Sequence, residues 1–490
     1  MGNNGHKLKK RGVKLSFYFL SLLIVAIAAI GGTYAWIGRS VTLPSTVEII
    51  QGTNSSTLDI AASERIGAVY QTLLNNYVEG VDKEALIEGA LSGMVEAVGD
   101  PYSQYLNTEE SENLDESISA SFEGIGAEIM SLNQQIVIVS PIKGSPAEKA
   151  GLLPNDIILS ADGESLQGLT ASEAVALIRG EKGSEVVLEI VRGDQTFKVN
   201  ITRDTIPIET VTFELDEEYP EIGIVHVSSF STPTYDDIVS AVTDLRTQGA
   251  TSFVFDFRQN PGGLLDQALK ISNMFLDDGD VIMQTQEKDA EPNKIVASDS
   301  EFGDFKITEP SVLLVDEGSA SASEIVAGAL QESSEIPLVG TTTFGKGTVQ
   351  TVYPLTESSE LKLTVAKWLT PNGNWIHEKG ISVDYEVALP EYATLTIIDS
   401  TATYEEGTVS EEVKNVEAML NAIGYAVEAD GYYDEATVEQ VASFQAANEL
   451  DATGIVTGDT ALAIVEKLRE VLTENDTQYD KAVEILMGNE

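Results

Sequence analysis

An apolar stretch typical of a buried strand, SVLLV at residues 311–315, leads within a few residues into a helix-favouring run that begins with GSASASE at residues 318–324. A strand that turns sharply into a helix leaves a hydroxyl at the helix N-terminus, where unpaired N–H groups and the helix dipole favour negative charge. Ser321 holds that position in the pattern. Because negative charge develops on the substrate oxygen during acyl transfer, Ser321 is a candidate nucleophile.

A second β-patterned stretch, FGKGTVQTVYPL at residues 344–355, places Lys346 between two glycines and Gln350 four positions later. In an extended strand these two side chains project from the same face. A serine, an amine and an amide that orients the amine supply a nucleophile, a base and an orienting group. Lysine acts as the base only when burial or hydrogen bonding lowers its pKa.

Histidine, the more common base, is scarce in this chain. Only His6, His226 and His377 are present, and neither of the last two has a serine and a carboxylate arranged around it in sequence. Lysine is therefore the better candidate for the base. The alternative interpretation is that GSASAS is a small-residue turn and Lys346 a solvated strand lysine.

Composition limits the cofactors and partners. The 490 residues contain no cysteine, so disulfides and thiolate metal sites are excluded. We expect no metal, and the serine, lysine and glutamine set needs no cofactor. The formal net charge of −50 predicts a surface that repels nucleic acid and suits the cell exterior.

An uncharged run of 23 residues, Leu15 to Ile37, is long enough to cross about 30 Å of hydrocarbon as a helix. Basic residues lie on its N-terminal side, which predicts a cytoplasmic segment at residues 1–14 and an extracytoplasmic chain beyond the span. A cleaved signal peptide is the alternative, with Thr33 to Ala35 as the small-residue cleavage site. The sequence favours a single membrane anchor, followed by a linker at residues 38–60.

The rest of the chain divides by pattern. Apolar residues at helical spacing predict two amphipathic helices in an N-terminal segment, residues 61–119, which either pack into the core or dock on a second copy to form a homodimer. Strands alternate with helices over residues 205–398, which predicts an α/β core. Three short helical patterns over residues 408–472 predict a small helical module, and residues 473–490 are assigned to a C-terminal tail.

Glycines end one buried strand of the α/β core, in the sequence NPGG at residues 260–263. Glycine exposes backbone N–H groups, which suits an oxyanion hole formed by the amides of Gly262 and Ala322. A strand-to-helix turn that requires a positive φ is equally compatible with these residues.

Residues 120–204 resemble a PDZ domain, most clearly in the stretch SPAEKAGLLPNDIILSADG at residues 145–163. In such domains a strand edge and a glycine loop bind the C-terminus of a peptide and hold its carboxylate through consecutive N–H groups. The matching loop is GIGA at residues 124–127, and the resemblance implies Ile125, Gly126 and Ala127 as the donors.

From about Ile66 to Leu389 the chain resembles the carboxyl-terminal processing peptidases, the tail-specific proteases of bacteria. The motifs that carry this resemblance, besides the PDZ stretch, are GDPYSQYL (99–106), DFRQNPGG (256–263), EGSASASEIVAGAL (317–330), FGKGTVQ (344–350) and AKWLTPNGNWIHEKGISVDYEV (366–387). The resemblance implies Ser321 as the nucleophile, Lys346 as the general base and Gln350 as its support. It also implies an α/β fold related to crotonase and Clp-type proteases, with the PDZ domain inserted. DFRQN stands where DLRNN is usual, and Val383 replaces a common proline.

The C-terminal helical module resembles the peptidoglycan-binding module of bacterial wall enzymes, through GYAVEADGYYDEATVEQVASFQ at residues 424–445. The resemblance implies peptidoglycan as a partner. The aromatic residues Tyr425, Tyr432, Tyr433 and Phe444 either stack on sugar or fill the core of the module.

Together these features predict a membrane-anchored extracytoplasmic serine endopeptidase that recognises protein substrates by their free C-termini. A non-catalytic scaffold that tethers partners to the cell wall is the second hypothesis. Hydrolysis of a non-peptide ester or amide by the same residues is the third.

Overall fold

The computed structural model describes residues 60–132, 134–356 and 358–488. The predicted cytoplasmic segment, the predicted membrane span Leu15 to Ile37 and nearly all of the predicted linker lie outside these ranges. Within them, no helix combines the length and the apolar character that crossing a membrane requires.

Two helices open the described chain, α1 (Ile60–Asn76) and α2 (Lys83–Glu96). They lie where the apolar spacing predicts them. Their apolar side chains are largely exposed, as Val69 and Met94 illustrate at 61% and 51%. The pair therefore presents apolar surface.

The PDZ region is an antiparallel sheet with one principal helix packed on it. Its elements and those that lead into it and out of it are β1 (Gln104–Leu106), α3 (Thr108–Ser119), β2 (Ser121–Gly124), β3 (Ala127–Leu132), β4 (Gln135–Pro141), α4 (Pro146–Lys149), β5 (Ile157–Ala161), β6 (Glu164–Ser165), α5 (Ala171–Ile178), β7 (Glu185–Arg192), β8 (Gln195–Thr202) and β9 (Asp204–Pro207). The strand order is β3-β4-β5-β7-β8, with β6 on β5. Strand β7 alternates, so that Val186, Leu188 and Ile190 are fully buried. Strands β2 and β9 pair with each other and connect this sheet to the core.

The α/β core follows. Its elements are β10 (Val211–Leu215), β11 (Ile222–Val227), α6 (Thr234–Gln248), β12 (Ser252–Asp256), α7 (Leu265–Asn273), β13 (Val281–Glu287), β14 (Asn293–Val296), α8 (Asp299–Phe302), β15 (Ser311–Val315), α9 (Ala322–Ala329), a π-helical turn (Leu330–Ser334), β16 (Leu338–Gly340), β17 (Thr348–Pro354), β18 (Glu360–Leu369), β19 (Tyr385–Glu386) and a 3-10 turn (Glu391–Thr394). The central sheet has the order β10-β11-β12-β15-β16-β19 and is parallel except for β10.

Strand β15 is buried along its whole length, as its unbroken apolar sequence predicts for a parallel sheet covered on both faces. The predicted α/β class is thus observed. A second sheet, in the order β1-β18-β13-β14 with β17 also paired to β18, lies beside the central one. The chain between β16 and β17 carries Lys346, and the turn after β15 carries Ser321.

The C-terminal module has three helices, α10 (Glu411–Ala422), α11 (Glu435–Ala447) and α12 (Gly458–Glu474). The aromatic residues of this module differ in how deeply they are buried. Tyr433 and Phe444 are fully buried, and Tyr425 packs edge-on against Phe444 with ring centroids 5.5 Å apart. Tyr425 is partly exposed, and Tyr432, at 48%, is the most exposed member of the set.

The segment assigned from sequence to a C-terminal tail is largely helical. Helix α12 extends to Glu474, and a further helix, α13 (Thr477–Leu486), packs on the central sheet of the α/β core. The apolar residues of α13 have helical spacing, but the sheet strands that they cover lie more than 100 residues earlier in the chain, so the sequence alone did not identify the helix as part of the core.

Candidate active site

Ser321 lies at the turn between β15 and α9, immediately before the first residue of the helix. Its backbone has φ 56° and ψ −110°, a conformation that residues with a side chain rarely adopt. Such strain persists only where the surrounding structure holds it, and it is frequent at functional positions. The backbone N–H of Ser321 donates to Glu324 Oε2 at 2.8 Å, which fixes this turn.

A cavity of about 350 Å³ opens in front of Ser321. The residues with chemical function that line it are Gly262, Ser321, Ala322, Lys346, Gln350 and Lys362. The structure therefore brings the predicted nucleophile, base, orienting amide and oxyanion donors to one place, and adds a second lysine that the sequence analysis did not consider.

Lys346 lies before β17, in the segment between Gly345 and Gly347, and its carbonyl accepts a hydrogen bond from Trp368 Nε1 at 2.7 Å. Its Nζ lies 5.1 Å from the centroid of the Tyr102 ring. Among the hydrogen bonds of the described residues, none joins this amine to Ser321 or Gln350. The lysine thus borders the cavity while its ammonium rests against an aromatic face.

The pKa of Lys346 is lowered from its ordinary value, first by burial and then by the positive charge of Lys362. The carboxylates of Glu324 and Asp100 act in the opposite direction. Burial disfavours the ammonium form, so this environment makes proton removal easier, as a base requires.

Gln350 is turned away from the lysine. Its Nε2 donates to Thr348 Oγ1 at 2.9 Å and to Thr364 Oγ1 at 3.1 Å. The backbone N–H of Thr364 donates in turn to Ser103 Oγ at 3.0 Å, and that hydroxyl donates to Asp100 Oδ2 at 2.5 Å. A chain of hydrogen bonds therefore links Gln350 to the GDPYS segment.

Sequence reasoning gave no role to GDPYS, although the motif contributed to the family resemblance. The structure places two of its side chains beside Lys346, with Tyr102 on its ammonium and Asp100 within its electrostatic range. The only signal in the sequence was the motif itself, because nothing in its spacing relates it to Lys346.

Glu324 is a residue of the candidate site to which the sequence analysis assigned no role. It is fully buried, and its carboxylate accepts from four groups of the described chain. These are Ser321 N (2.8 Å), Thr343 Oγ1 (2.6 Å), Gly345 N (2.7 Å) and Lys346 N (2.8 Å). The available signal was the spacing of Ser321 and Glu324, which is that of a helix capping box.

The predicted oxyanion donors lie side by side. Gly262 has φ 97°, and a Cβ there would lie 2.6 Å from Ala320 O and 2.9 Å from Ala322 N, so only glycine allows this close approach. The Gly262 N–H donates to Asn260 Oδ1 at 2.9 Å, whereas the Ala322 N–H has no acceptor among the described residues. An oxyanion would meet the Ala322 amide directly, and the Gly262 amide only after Asn260 releases it.

The predicted peptide-binding loop adjoins the start of β3, against which α5 packs. Ile125 is buried, and Gly126 has φ 72° with Ser145 Cβ only 2.5 Å from where its own Cβ would stand. The carbonyls of Ile125 and Gly126 accept from Ala147 N and Ile142 N. The loop is therefore held in place where β3 begins.

Comparison with known proteins identifies the class to which this fold and cavity belong. Residues 221–387 match the model of peptidase family S41, and residues 137–192 match a PDZ domain. Residues 25–110 match the N-terminal domain of the activating protease CtpB, and residues 409–464 a putative peptidoglycan binding domain. The molecule is a serine-type peptidase with an inserted PDZ domain.

Among individual relatives, the carboxy-terminal processing protease CtpA of Bacillus subtilis (strain 168) is 43% identical over 478 residues, which is 97% of this chain and 99% of that protein. A probable CtpA-like serine protease of Staphylococcus aureus (strain N315) is 37% identical over 438 residues, 89% of this chain and 87% of the relative. The solved photosystem II D1 C-terminal processing protease is 29% identical, with a TM-score of 0.39 over 66% of this chain and 88% of its own. On the Bacillus match, the chain belongs to the carboxy-terminal processing proteases of family S41.

Proposed function

We propose that this protein is a membrane-anchored, extracytoplasmic serine endopeptidase with a Ser321–Lys346 dyad, which selects protein substrates by their free C-termini. The observation that carries the proposal is the convergence of Ser321, Lys346 and Gln350 on one cavity, with the lysine partly buried and its pKa lowered. A base that must be neutral needs such an environment.

In the proposed reaction, Ser321 Oγ attacks the carbonyl carbon of the scissile peptide bond while Lys346 Nζ takes its proton. The backbone amides of Ala322 and Gly262 hold the oxyanion. Lys346 then returns the proton to the leaving amine, and water hydrolyses the acyl-enzyme in a second cycle of the same steps. Reaching this geometry requires Lys346 to leave the Tyr102 ring and Gln350 to turn from Thr364 toward the lysine.

The test of the dyad is cleavage of an unstructured, tail-bearing protein by the wild type, Ser321→Ala and Lys346→Ala. We expect both variants to be inactive and folded, and Lys367→Ala, which changes a lysine on β18, to retain activity. Full activity in Lys346→Ala would refute the dyad. Equal behaviour of wild type and Ser321→Ala would favour the non-catalytic scaffold.

Selection by the C-terminus is tested with the same substrate carrying an amidated terminus. Amidation removes the negative charge that the loop at Ile125, Gly126 and Ala127 is proposed to bind. We expect KM to rise with little change in kcat. An unchanged KM would argue against recognition by this loop.

Anchoring and wall binding have separate tests. The uncharged run Leu15 to Ile37 supports a membrane span, so deletion of residues 15–37 should move the protein from the membrane fraction to the soluble one. The exposed ring of Tyr432 supports stacking on glycan, so Tyr432→Ala should weaken co-sedimentation with purified peptidoglycan. The apolar faces of α1 and α2 support a homodimer, which analytical ultracentrifugation would detect.

A further inference from the structure

Helices α12 and α13 belong to different cores although Asn475 and Asp476 alone separate them. Helix α12 buries Ala461, Ile464 and Leu468 within the C-terminal module that resembles wall-binding domains, called the wall module below. Residues such as Val413 and Phe444 belong to the same core. Helix α13 instead joins the hydrophobic cluster of the protease sheet. The junction between the two is therefore a short joint between the wall module and the peptidase.

Helix α13 covers one face of the central sheet. The sheet residues of this cluster are all fully buried and are Ile222, Val254, Val312, Leu314 and Val339. Ala482 of the helix is also fully buried, and Val483 and Leu486 pack at its sides. This apolar contact makes α13 a structural part of the peptidase.

Polar contacts hold the start of α13. Thr477 Oγ1 donates to Ala388 O at 2.8 Å, and Gln478, which is 1% exposed, donates through Nε2 to Val387 O at 2.9 Å. The Tyr479 hydroxyl donates to Asp216. The first turn of the helix is thus bound to the strand ends of the core.

Asp476 has two partners at the joint. Its Oδ1 accepts from Tyr479 N at 3.0 Å, which caps α13, and from Arg258 Nη1 at 2.9 Å. Its Oδ2 lies 2.8 Å from Arg258 Nη2. Arg258 also forms a bidentate pair with Asp256, at 2.9 and 2.7 Å, and donates to Gln478 Oε1 at 3.1 Å. The Arg258 side chain is 16% exposed, and its guanidinium is held between the carboxylates of Asp256 and Asp476.

Arg258 begins the loop that carries the oxyanion donor. Gln259 has φ 56° and is fixed by Asp316, which accepts from its N and Nε2 at 2.8 and 2.7 Å. Asn260 O accepts from Ala320 N at 3.0 Å and from Ser323 Oγ at 2.9 Å, and Asn260 Oδ1 holds Gly262. The loop thus connects Arg258 to the turn that bears Ser321.

We propose that Asp476 is a positioning residue of the peptidase, which acts through Arg258 to hold the loop that sets Gly262 beside the Ala322 amide. The residues that follow the wall module then complete the catalytic core, and the wall module is connected to the oxyanion hole by a two-residue joint. The inference rests on the proposed function, because it assigns Gly262 and Ala322 to the oxyanion.

The experiment compares full-length wild type, Asp476→Asn and Glu484→Gln with one unstructured protein substrate, with Ser321→Ala as the background. Asparagine can still cap α13 but loses the charge that pairs with Arg258. We expect kcat to fall roughly tenfold in Asp476→Asn, with KM changed by less than about twofold, because transition-state stabilisation is lost while remote binding is kept. Glu484→Gln, which alters an exposed carboxylate paired with Lys481 on the same helix, should match the wild type.

Action through Arg258 is tested by a cycle. Arg258→Lys and the double variant Arg258→Lys/Asp476→Asn should be equally slow, whereas additive losses would show that Asp476 acts elsewhere. Asp476→Glu should recover most of kcat. These measurements are made well below the melting temperature of each variant, so that lowered stability alone leaves kcat unchanged.

The outcomes separate the two proposals. If wild type cleaves no faster than Ser321→Ala, the proposed function fails. If wild type exceeds that background and Asp476→Asn matches wild type, or merely melts earlier with the same kcat, the positioning role is overturned. Should Asp476→Asn fail to fold, a wild-type kcat in Arg258→Lys would also overturn it.

Discussion

The buried carboxylate of Glu324 accepts a hydrogen bond from the backbone N–H of Lys346 at 2.8 Å. The same oxygen accepts from the backbone N–H of Ser321 at 2.8 Å. The proposed nucleophile and base, 25 positions apart in the chain, are therefore held by one side chain. Their relative placement depends on an acceptor that neither of them contains.

Glu324→Gln should impair both catalysis and stability. All the contacts made by Glu324 are with donors, so a glutamine NH₂ would face at least one N–H or hydroxyl without an acceptor, at a cost of about 1–3 kcal/mol. We expect kcat/KM to fall about a hundredfold, by analogy with the loss of other active-site hydrogen bonds. Kinetics and thermal denaturation measure the two effects. Glu335→Gln, at an exposed position after α9, should change neither kcat/KM nor thermal stability. Wild-type activity in Glu324→Gln would show that Glu324 does not hold Ser321 and Lys346 in place.

Lys362→Met should shift the acid limb of the kcat/KM profile to higher pH. Lys362 lines the cavity, and its charge helps to lower the pKa of Lys346, so its loss lets Lys346 bind a proton more tightly. Less of the neutral amine is then present at a given pH. Lys367→Met removes a charge from the same strand, one that lies 3.9 Å from the Trp375 ring, and should leave the limb in place. Equal shifts in both variants would point to general surface charge.

Tyr102→Leu should shift the acid limb of the kcat/KM profile to lower pH. The ring stabilises the ammonium of Lys346, as do the carboxylates of Glu324 and Asp100, while Lys362 opposes it. Without the ring the proton is lost at lower pH, and kcat/KM reports this because it reflects the free enzyme. Tyr102→Phe keeps the aromatic face and should follow the wild type. Identical profiles for the leucine and phenylalanine variants would show that the ring only packs.

Protonation of Asp256 should contribute to the loss of folding stability at acidic pH. Burial alone would raise its pKa, but the nearby His226 side chain and the hydrogen bonds and charge of Arg258 lower it to about 2. The stability from a depressed carboxyl is present above its ordinary value of 3.8 and is lost as the pH falls through 2. Thermal unfolding followed by circular dichroism should therefore depend less on pH between these values in Asp256→Asn.

Asp194→Asn, in the exposed turn between β7 and β8, is the control for this pH dependence and should retain the wild-type slope. An Asp256→Asn profile parallel to that of the wild type would exclude Asp256 as the source of the acid sensitivity.

The residues of the candidate site could be proposed from the sequence because short local patterns contain them. The strand-to-helix turn at Ser321 and the glycine-flanked Lys346 can each be recognised within a short window, and the structure places both at one cavity. The orientation of their side chains was not accessible. Lys346 lies on Tyr102, and Gln350 bonds Thr364 rather than the lysine, because packing against distant segments selects these rotamers.

The fold was likewise predictable from the sequence only in part. Apolar periodicity predicted the buried strands such as β15 and the helices of the wall module. The docking of α13 was missed, because a ten-residue amphipathic pattern does not identify the surface that it covers. Its partners, from Ile222 to Val339, are set by tertiary structure alone.

The cover that α13 provides also sets an order of biosynthesis. While the ribosome is still synthesising the wall module, one apolar face of the nascent central sheet is not yet covered by α13. Because residues 477–486 follow the wall module in the chain, this face of the sheet is covered only after the whole module has been translated.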